Sequence, residues 1–557
     1  MGVSQSTHYG GDIWLALKDL CLSVSLTSST TRVSVLILTS LYLLQVYRRN
    51  QRMTRIRGPQ SPSWVFGLSK TLLDSIATTE LYERWAVEYG PVYRVPIALG
   101  ESRVILWDPK AVSHFFARDT ASYEQTPFNK LAVSITVGRG LLWSNGESHK
   151  RQRKAINPAF GPAAIRGLTY IFQDSAHKTM AAWDAEIGSN QGTHSAVIDV
   201  QQWMNHITLD SLGIAVLSHD FGALHGHQSD VQYVLNAASS ASNASPDLAV
   251  LAQIFPSVLR LPLPHTRFFK KLAVSLGKIC NETLSRTRKA KEAGAAEQGD
   301  KSCLNLLVKA EDCGESAGLT HEEVLAQARV LLIAGFETTS VTMTWALIQL
   351  ARNPDMQMRL RDECLDFGST PSYDDLTNKL PYLDAVVHEV LRLHPSFKEV
   401  ARSAMEEDVI PLSEPMRTAA GEFTDSVCIP KGTEVVIPLA ALNCSVSMWG
   451  PSAKEFKPSR WLNEDKDKDT SGARESLRGY RRLMTFGDGP RMCLGRVFAV
   501  TEFKAVLFVL VRHFVFEMVD DPGVQIVESS GPLPRPLVVG NFAEVGTVPL
   551  RIRRYEV

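Results

Sequence analysis

Apolar residues fall along this chain in blocks of three kinds. The first is an unbroken block, Val33–Tyr47, about fifteen residues without a charge. Arg32 precedes it, and Arg48, Arg49, Arg52, Arg55 and Arg57 follow. The block is short for a span of about 20 residues. Snorkelling of Arg32 and the uncharged stretch Leu20–Thr31 can extend it. A secretory leader is the rival reading, but the positive cluster follows the apolar run and no small-residue cleavage site is evident. The excess of arginine predicts a transmembrane signal anchor over residues 33–47, with 1–32 on the far side and Arg48 onward facing the cytoplasm. Gly58–Gly67 carries prolines that stiffen the exit, so residues 48–67 read as a basic and Pro-rich hinge.

The second kind of block alternates. Val92, Tyr93, Val95 and Ile97, then Val104, Ile105 and Leu106, predict a small hairpin turning at Gly100-Glu101. A longer hairpin is predicted over 408–432.

The third kind has helical period and dominates from about residue 109 onward. The best-defined member starts at Thr320, where Thr320 and Glu323 form a capping box. It runs without proline to Arg352 and stops at Asn353-Pro354, about 33 residues or roughly 50 Å. Tyr382–Leu393 and Val497–Phe514 are shorter apolar helices. Between 161 and 284, amphipathic periods break at Gly188-Ser189-Asn190 and Ser242–Pro246. Ser285–Lys301, charged and Ala/Gly-rich, reads as a flexible surface connection.

Composition narrows the class. The 557 residues are 44% hydrophobic, with 59 basic against 59 acidic side chains, which removes any global bias toward nucleic acid. Eight scattered cysteines contain no C-x-x-C pair, which argues against zinc and against a disulfide scaffold and for a reducing compartment. The sequons at Asn243, Asn281 and Asn443 fall on the cytoplasmic side of the predicted topology and read as chance.

Candidate chemistry sits in four places. Phe486-Gly487-Asp488-Gly489-Pro490-Arg491-Met492-Cys493-Leu494-Gly495 sets a cysteine between Gly489 and Gly495, ahead of an apolar helix. Glycines allow close backbone approach to a bulky ligand, and the helix N-terminus favours the thiolate that binds metal. Arg491 can pair with an acidic ligand group, and Phe486 offers an apolar face. Ala334-Gly335-Phe336-Glu337-Thr338-Thr339 lies in the middle of the long helix. Taken alone it is a helix-packing contact with incidental polar residues. Alternatively, its small residues admit a flat ring or O2, and its acid and hydroxyls carry protons. His149 and Arg153 share a helix face, as do Glu389 and Arg392, with Arg460 as a third charge.

The pattern F-x-x-G-x-R-x-C-x-G, the A-G-x-E-T-T hexapeptide, E-x-x-R at Glu389–Arg392 and F-x-P-x-R-W at Phe456–Trp461 occur in the order found in cytochrome P450 enzymes, which this chain resembles over roughly 58–557. The resemblance implies a mainly α fold with small β-sheets, here a catalytic domain over 68–557. It implies heme b with Cys493 as axial thiolate, cradled by Arg491, Phe486, Gly489, Gly495, Ala334 and Gly335. His149, Arg153 and Arg402 match propionate-binding positions, although His149 stands where the family often has Trp. Glu337 and Thr338 match the proton-delivering pair, and Glu389, Arg392 and Arg460 match a structural triad. The implied activity is insertion of one atom of O2 into a lipophilic small molecule, in the manner of fungal secondary-metabolite (for example terpenoid) enzymes. Electrons are implied to come from NADPH–cytochrome P450 reductase, docked near Arg151 and Lys154, because no dinucleotide fingerprint opens a βαβ unit here. Phe128–Val137, Val330–Thr339, Phe397–Ala401 and Ser529–Leu533 are the expected pocket walls. The implied location is the endoplasmic reticulum membrane, single-pass, with the catalytic domain cytosolic. A heme-thiolate isomerase or dehydratase, a peroxygenase and a non-catalytic heme protein are the alternatives; the Glu337-Thr338 pair argues against the first two.

Overall fold

The computed structural model describes residues 29–556 apart from 75–76, 191–193, 228–245, 262–263, 293–302, 312–317, 463–482, 520–524, 530–532 and 540–546. Residues 1–28 of the predicted far-side segment and the Asn243 sequon lie outside it. The rest is mostly helical, with small sheets. The helices used below are α1 (Ser29–Arg52), α2 (Gly146–Ile156), α3 (Pro162–Ser189), α4 (Val200–Leu217), α5 (Pro264–Glu292), α6 (His321–Arg352), α7 (Pro381–Leu393) and α8 (Arg496–His513).

The predicted hairpin is β1 (Val92–Pro96) and β2 (Ser102–Leu106), paired antiparallel from Val92↔Leu106 to Pro96↔Ser102. Its turn is a short 3-10 segment, Ala98–Gly100. This pair is one side of a five-stranded sheet of order β1-β2-β8-β5-β3, completed by β3 (Tyr123–Gln125), β5 (Val400–Ala404) and β8 (Glu434–Ile437). The second hairpin is β6 (Asp408–Arg417) with β7 (Phe423–Ile429), bulged between Pro411 and Met416. β4 (Ser195–Asp199), β12 (Pro549–Arg554) and β9 (Phe514–Met518) form a third sheet, and β10 (Gln525–Glu528) pairs with β11 (Pro536–Val539).

α6 forms as its caps dictate. Thr320 Oγ1 accepts from the Glu323 amide at 3.2 Å, and Glu323 Oε2 accepts from the Thr320 amide at 2.9 Å. The helix stays continuous through the hexapeptide, although Thr338 and Thr342 donate their hydroxyls back to the carbonyls four residues earlier, at 2.5 and 2.7 Å, a contact that tends to loosen the ladder. It crosses the core against α4. By length and composition it could cross a membrane, yet 67% of its apolar window is buried inside the protein, which makes it a core helix.

One sequence expectation fails here. Ser285–Glu292 is the last part of α5 and not a loop. Ala, Lys, Arg and Glu are strong helix formers, so low apolar content did not prevent the helix from extending. Residues 293–301 of that stretch lie outside the described residues.

α1 continues well past the uncharged block. Val33, Ile37, Leu41, Leu44 and Tyr47 are exposed along it, while Val46, Met53 and Ile56 are buried at its domain end. Tyr42 donates to Glu101 at 3.2 Å, Arg49 pairs with the same carboxylate, and Arg49 donates to the Gly432 carbonyl at 3.1 Å.

Behind the site, α7 presents Glu389 and Arg392 in full burial. Arg392 donates to both oxygens of Glu389 at 2.9 and 2.8 Å and to the carbonyls of Asn443 and Glu455 at 2.8 and 3.1 Å. Glu389 also accepts from Arg460 at 2.8 Å, Trp461 Nε1 at 2.9 Å and the Lys457 amide at 2.9 Å. Burial pushes the Glu389 carboxyl pKa up, but Arg392 and Arg460 outweigh it and hold the group below its ordinary range. The three charges are therefore mutually satisfied, as a buried ion pair requires. Asn443, one of the sequon asparagines, is 1% exposed and bridges Met484 and Thr485, so its role is structural.

Candidate active site

Cys493 lies in the loop that feeds α8. Its amide donates to the Phe486 carbonyl at 2.8 Å, closing the loop on itself. Gly489 has φ +66°, and a Cβ there would stand 2.1 Å from the Phe116 carbonyl oxygen, so only glycine fits. Gly495 differs. Its φ is −81°, and no protein atom lies within 4 Å of where a Cβ would stand, so packing within the chain does not explain this glycine.

The thiol is solvent-accessible although protein surrounds it, the condition of a group opening into an internal cleft. Burial pushes its pKa up; the Gly495 amide, Arg153 and Arg496 pull it down without reversing the shift. The helix terminus therefore does not by itself make Cys493 a thiolate, contrary to the sequence expectation, because desolvation outweighs it.

The second motif lies on α6. Ala334 is exposed although Leu332 and Phe336 beside it are buried. Ala334, Glu337 and Thr338 stand at i, i+3 and i+4 and share one face. Gly335 faces the other way: a Cβ would meet Leu212 Cδ2 of α4 at 2.7 Å. The glycine thus lets α4 and α6 approach each other and does not line the cleft. Thr338 is engaged with the Ala334 carbonyl. Glu337 is paired with Arg535, from the loop before β11.

The expected cations gather around a residue that no motif marks. Asp119, fully buried, accepts from Arg402 Nε and Nη2 at 3.0 and 3.2 Å and lies 3.3 Å from Arg491 Nε. Arg491 also donates to the Ser144 carbonyl at 2.6 Å and to the Asn145 side chain. Burial lowers the Arg491 pKa to about 10, against the pull of Asp119. His149 is 3% exposed; burial first, then Arg491 and Arg153, press its pKa down to about 4, so it is neutral at physiological pH. Arg153 donates to the Met492 carbonyl at 2.7 Å, next to Cys493.

α2 is clasped to the start of α6. Arg151 pairs with both Glu323 oxygens, Gln152 donates to Glu323 at 2.9 Å, and Gln327 donates to Gln152 at 2.6 Å. Arg151 is thus paired within the chain and about a quarter exposed (24%), while Lys150 and Lys154 of the same helix are exposed.

These residues fit a heme. Cys493 is accessible, Ala334 is exposed on a helix that is otherwise largely buried, an open position stands beside Gly495, and Arg402, Arg491, Arg153 and His149 flank the cysteine loop. Among the described residues no cluster of His, Cys, Asp and Glu offers a bare metal site, so the chemistry rests on a single sulfur and a cationic rim. A long helix over a cysteine loop, in a mostly helical domain with small sheets, defines the class of heme-thiolate oxidoreductases.

The comparisons with known proteins carry this further. The family model described as "Cytochrome P450" matches residues 57–536. The chain is 47% identical over 524 residues to "Cytochrome P450 monooxygenase claW" of Ampulloclitocybe clavipes, covering 93% of this chain and 95% of that relative. It is 33% identical over 519 residues to "Cytochrome P450 monooxygenase 205" of Postia placenta, covering 90% and 93%. It is 32% identical over 464 residues to "Ganoderic acid synthetase CYP5150L8" of Ganoderma lucidum, covering 78% and 83%. The chain belongs to the cytochrome P450 family and is a heme-thiolate monooxygenase. Such an enzyme takes electrons from a redox partner, together with O2 and an organic substrate.

Proposed function

We propose that Cys493 would bind the iron of heme b as thiolate, that Arg402, Arg491, Arg153 and His149 would hold its propionates, and that Phe486, Gly489, Gly495 and Ala334 would shape its faces. The heme, when bound, supplies the activation of O2. The chain's own residues do the rest. Thr338 and Glu337 share the Ala334 face of α6, so a hydroxyl and a carboxyl stand together to hold and pass protons. Thr338 has its proton on the Ala334 carbonyl at 2.5 Å, and rotating away frees it for a bound water. The Glu389–Arg392–Arg460 cluster keeps the wall behind the cysteine loop rigid.

The substrate is a lipophilic small molecule of secondary metabolism, supported by the mainly apolar walls and by the names of the fungal relatives, one of which is a ganoderic acid synthetase. The helix Pro127–Thr136 contributes no fully buried residue, in keeping with a wall that borders open space.

α1 anchors the enzyme in the endoplasmic reticulum membrane, with 33–47 as the span, 48–67 as the hinge and 68–557 as the cytosolic catalytic domain. The exposed apolar residues of α1 and the arginines after them support this. NADPH–cytochrome P450 reductase delivers the electrons, meeting the exposed Lys150 and Lys154 of α2.

The observation that carries the reading is the accessible Cys493, in a loop whose Gly489 admits no side chain and which Arg153 and Arg491 flank. Its test is Cys493→Ser. The reduced carbonyl spectrum should lose the red-shifted Soret band that thiolate ligation produces. A normal band in this variant would assign the iron to another residue.

A further inference from the structure

Arg535 had no place in the sequence reading, yet it is the cation that enters the cleft from the C-terminal side. It sits in Pro534-Arg535-Pro536, a lone charge inside the otherwise apolar run Leu533–Val539. The backbone fixes its position: the Ser529 amide donates to the Arg535 carbonyl at 2.8 Å, and the Arg535 amide donates to Ser529 Oγ at 3.0 Å. Proline on either side stiffens the same turn. The Arg535 backbone is thus tied to Ser529 by two hydrogen bonds.

A guanidinium has five N–H donors. Here Nη2 alone is used, on Glu337 Oε1. Among the described residues Nε and Nη1 make no hydrogen bond, and neither is among the buried unsatisfied atoms. The side chain keeps 20% of its surface and Glu337 keeps 17%. Since Glu337 stands one turn from the exposed Ala334 on the same face, the accessible edge of Arg535 borders the same cleft. The segment Phe397–Ala401 offers Phe397, Val400 and Ala401, apolar and partly exposed, while its Lys398 is buried and already engaged with Glu528 at 3.1 Å and the Ser529 carbonyl at 3.2 Å. With Lys398 neutralised by Glu528, the guanidinium of Arg535 is the cation with donors to spare beside these apolar side chains, which makes it a recognition point. It is costly to desolvate, Glu337 already offsets part of that cost, and its flat edge matches a carboxylate in both charge and shape.

We propose that Arg535 is the anion-binding residue of the substrate cleft, taking a carboxylate carried by an otherwise apolar substrate through the Nη1 edge that Glu337 leaves unused. The substrate class is thereby narrowed from lipophilic molecules to lipophilic acids. The inference rests on the reading of the Ala334–Glu337–Thr338 face as the substrate side. It also ties recognition to proton handling, because the anion shares the guanidinium with Glu337.

The test uses the heme-loaded full chain in phospholipid nanodiscs. Equilibrium dialysis at pH 8 measures the Kd of palmitic acid against methyl palmitate, and of abietic acid against methyl abietate. In the unaltered chain at least one acid should bind about tenfold tighter than its ester. Arg535→Gln should remove that preference by weakening the acid while leaving the ester unchanged, which also reports an intact fold. Arg535→Lys should retain part of it, since the charge stays but the fork is lost. Equal affinity for acid and ester in both pairs, a preference that survives Arg535→Gln, or failure of both acids to bind would each overturn the anion site. Tight ester binding alongside any of these results would leave the lipophilic cleft standing, so the two readings fail separately.

Discussion

Glu502 is fully buried on α8, and neither of its carboxyl oxygens accepts a hydrogen bond. The nearby Ser211 hydroxyl lowers its pKa somewhat, but that hydroxyl donates to Ser175 Oγ at 3.2 Å. Burial dominates and pushes the carboxyl up to about 8. The native chain thus holds a proton that the unfolded chain, with a glutamate pKa of about 4.3, gives up. Where the native state binds more protons than the unfolded state, stability falls as pH rises. The loss begins near the unfolded value and levels off above the folded one. At pH 7 the gap of about 2.7 units corresponds to roughly 3–4 kcal/mol. Glu502→Gln keeps the shape and removes the titration. One amide donor can reach Ser211; the other stays unsatisfied, a cost of about 1–3 kcal/mol that does not vary with pH. The informative quantity is therefore the pH slope of the difference between the two proteins. Urea unfolding followed by tryptophan fluorescence, from pH 5 to pH 8, should show the variant gaining on the parent at every step. A difference that stays constant across that range would mean that Glu502 is paired or hydrated, and the reasoning fails.

Four further outcomes follow from the same structure. Thr338→Ala should keep its heme but divert reducing equivalents to peroxide, and unchanged coupling of NADPH use to product would remove Thr338 from proton delivery. Arg392→Ala leaves Glu389 buried with Arg460 alone and should cost about 3–5 kcal/mol, seen as lost heme incorporation; a stable holoprotein would show that Arg460 suffices. Gly489→Ala forces a side chain to φ +66° against the Phe116 carbonyl, at about 1–2 kcal/mol for the backbone alone, and should lower heme retention on dialysis. Tags at both ends of the chain in intact microsomes should show a protease-protected N-terminus and an accessible C-terminus, whereas a protected C-terminal tag or a glycan on Asn281 would overturn the cytosolic topology.

What was legible in the sequence was local. The capping box, the stop at Asn353-Pro354 and the two hairpins are decided within a few residues, and they formed where the pattern put them. The cysteine loop is legible because its glycine is forced by contact: Gly489 has no alternative. What was not legible depends on faces meeting across the fold. Gly335 stands beside Ala334 in sequence, but one step along a helix rotates a residue by about 100°, which turns it toward Leu212. Arg151 read as a surface charge because its partner Glu323 is 172 residues away. Asp119 carried no signal at all, although it gathers two of the expected arginines. Arg535 did leave a trace, a single charge between prolines in an apolar run.

The clasp between α2 and α6 has a mechanical consequence. Apolar helix contacts tolerate sliding, since dispersion is nearly indifferent to direction, whereas a two-pronged guanidinium–carboxylate contact is not. Arg151, Gln152, Glu323 and Gln327 therefore act as a bolt between the helix that borders the cysteine loop and the helix that carries Glu337 and Thr338. A push on the exposed lysines of α2 is accordingly delivered to the root of α6 with little slack, and the far end of α6, past Thr338, cannot absorb it, because that end is buried and held through Gln349 on His394 and Arg352 on the Ile526 carbonyl.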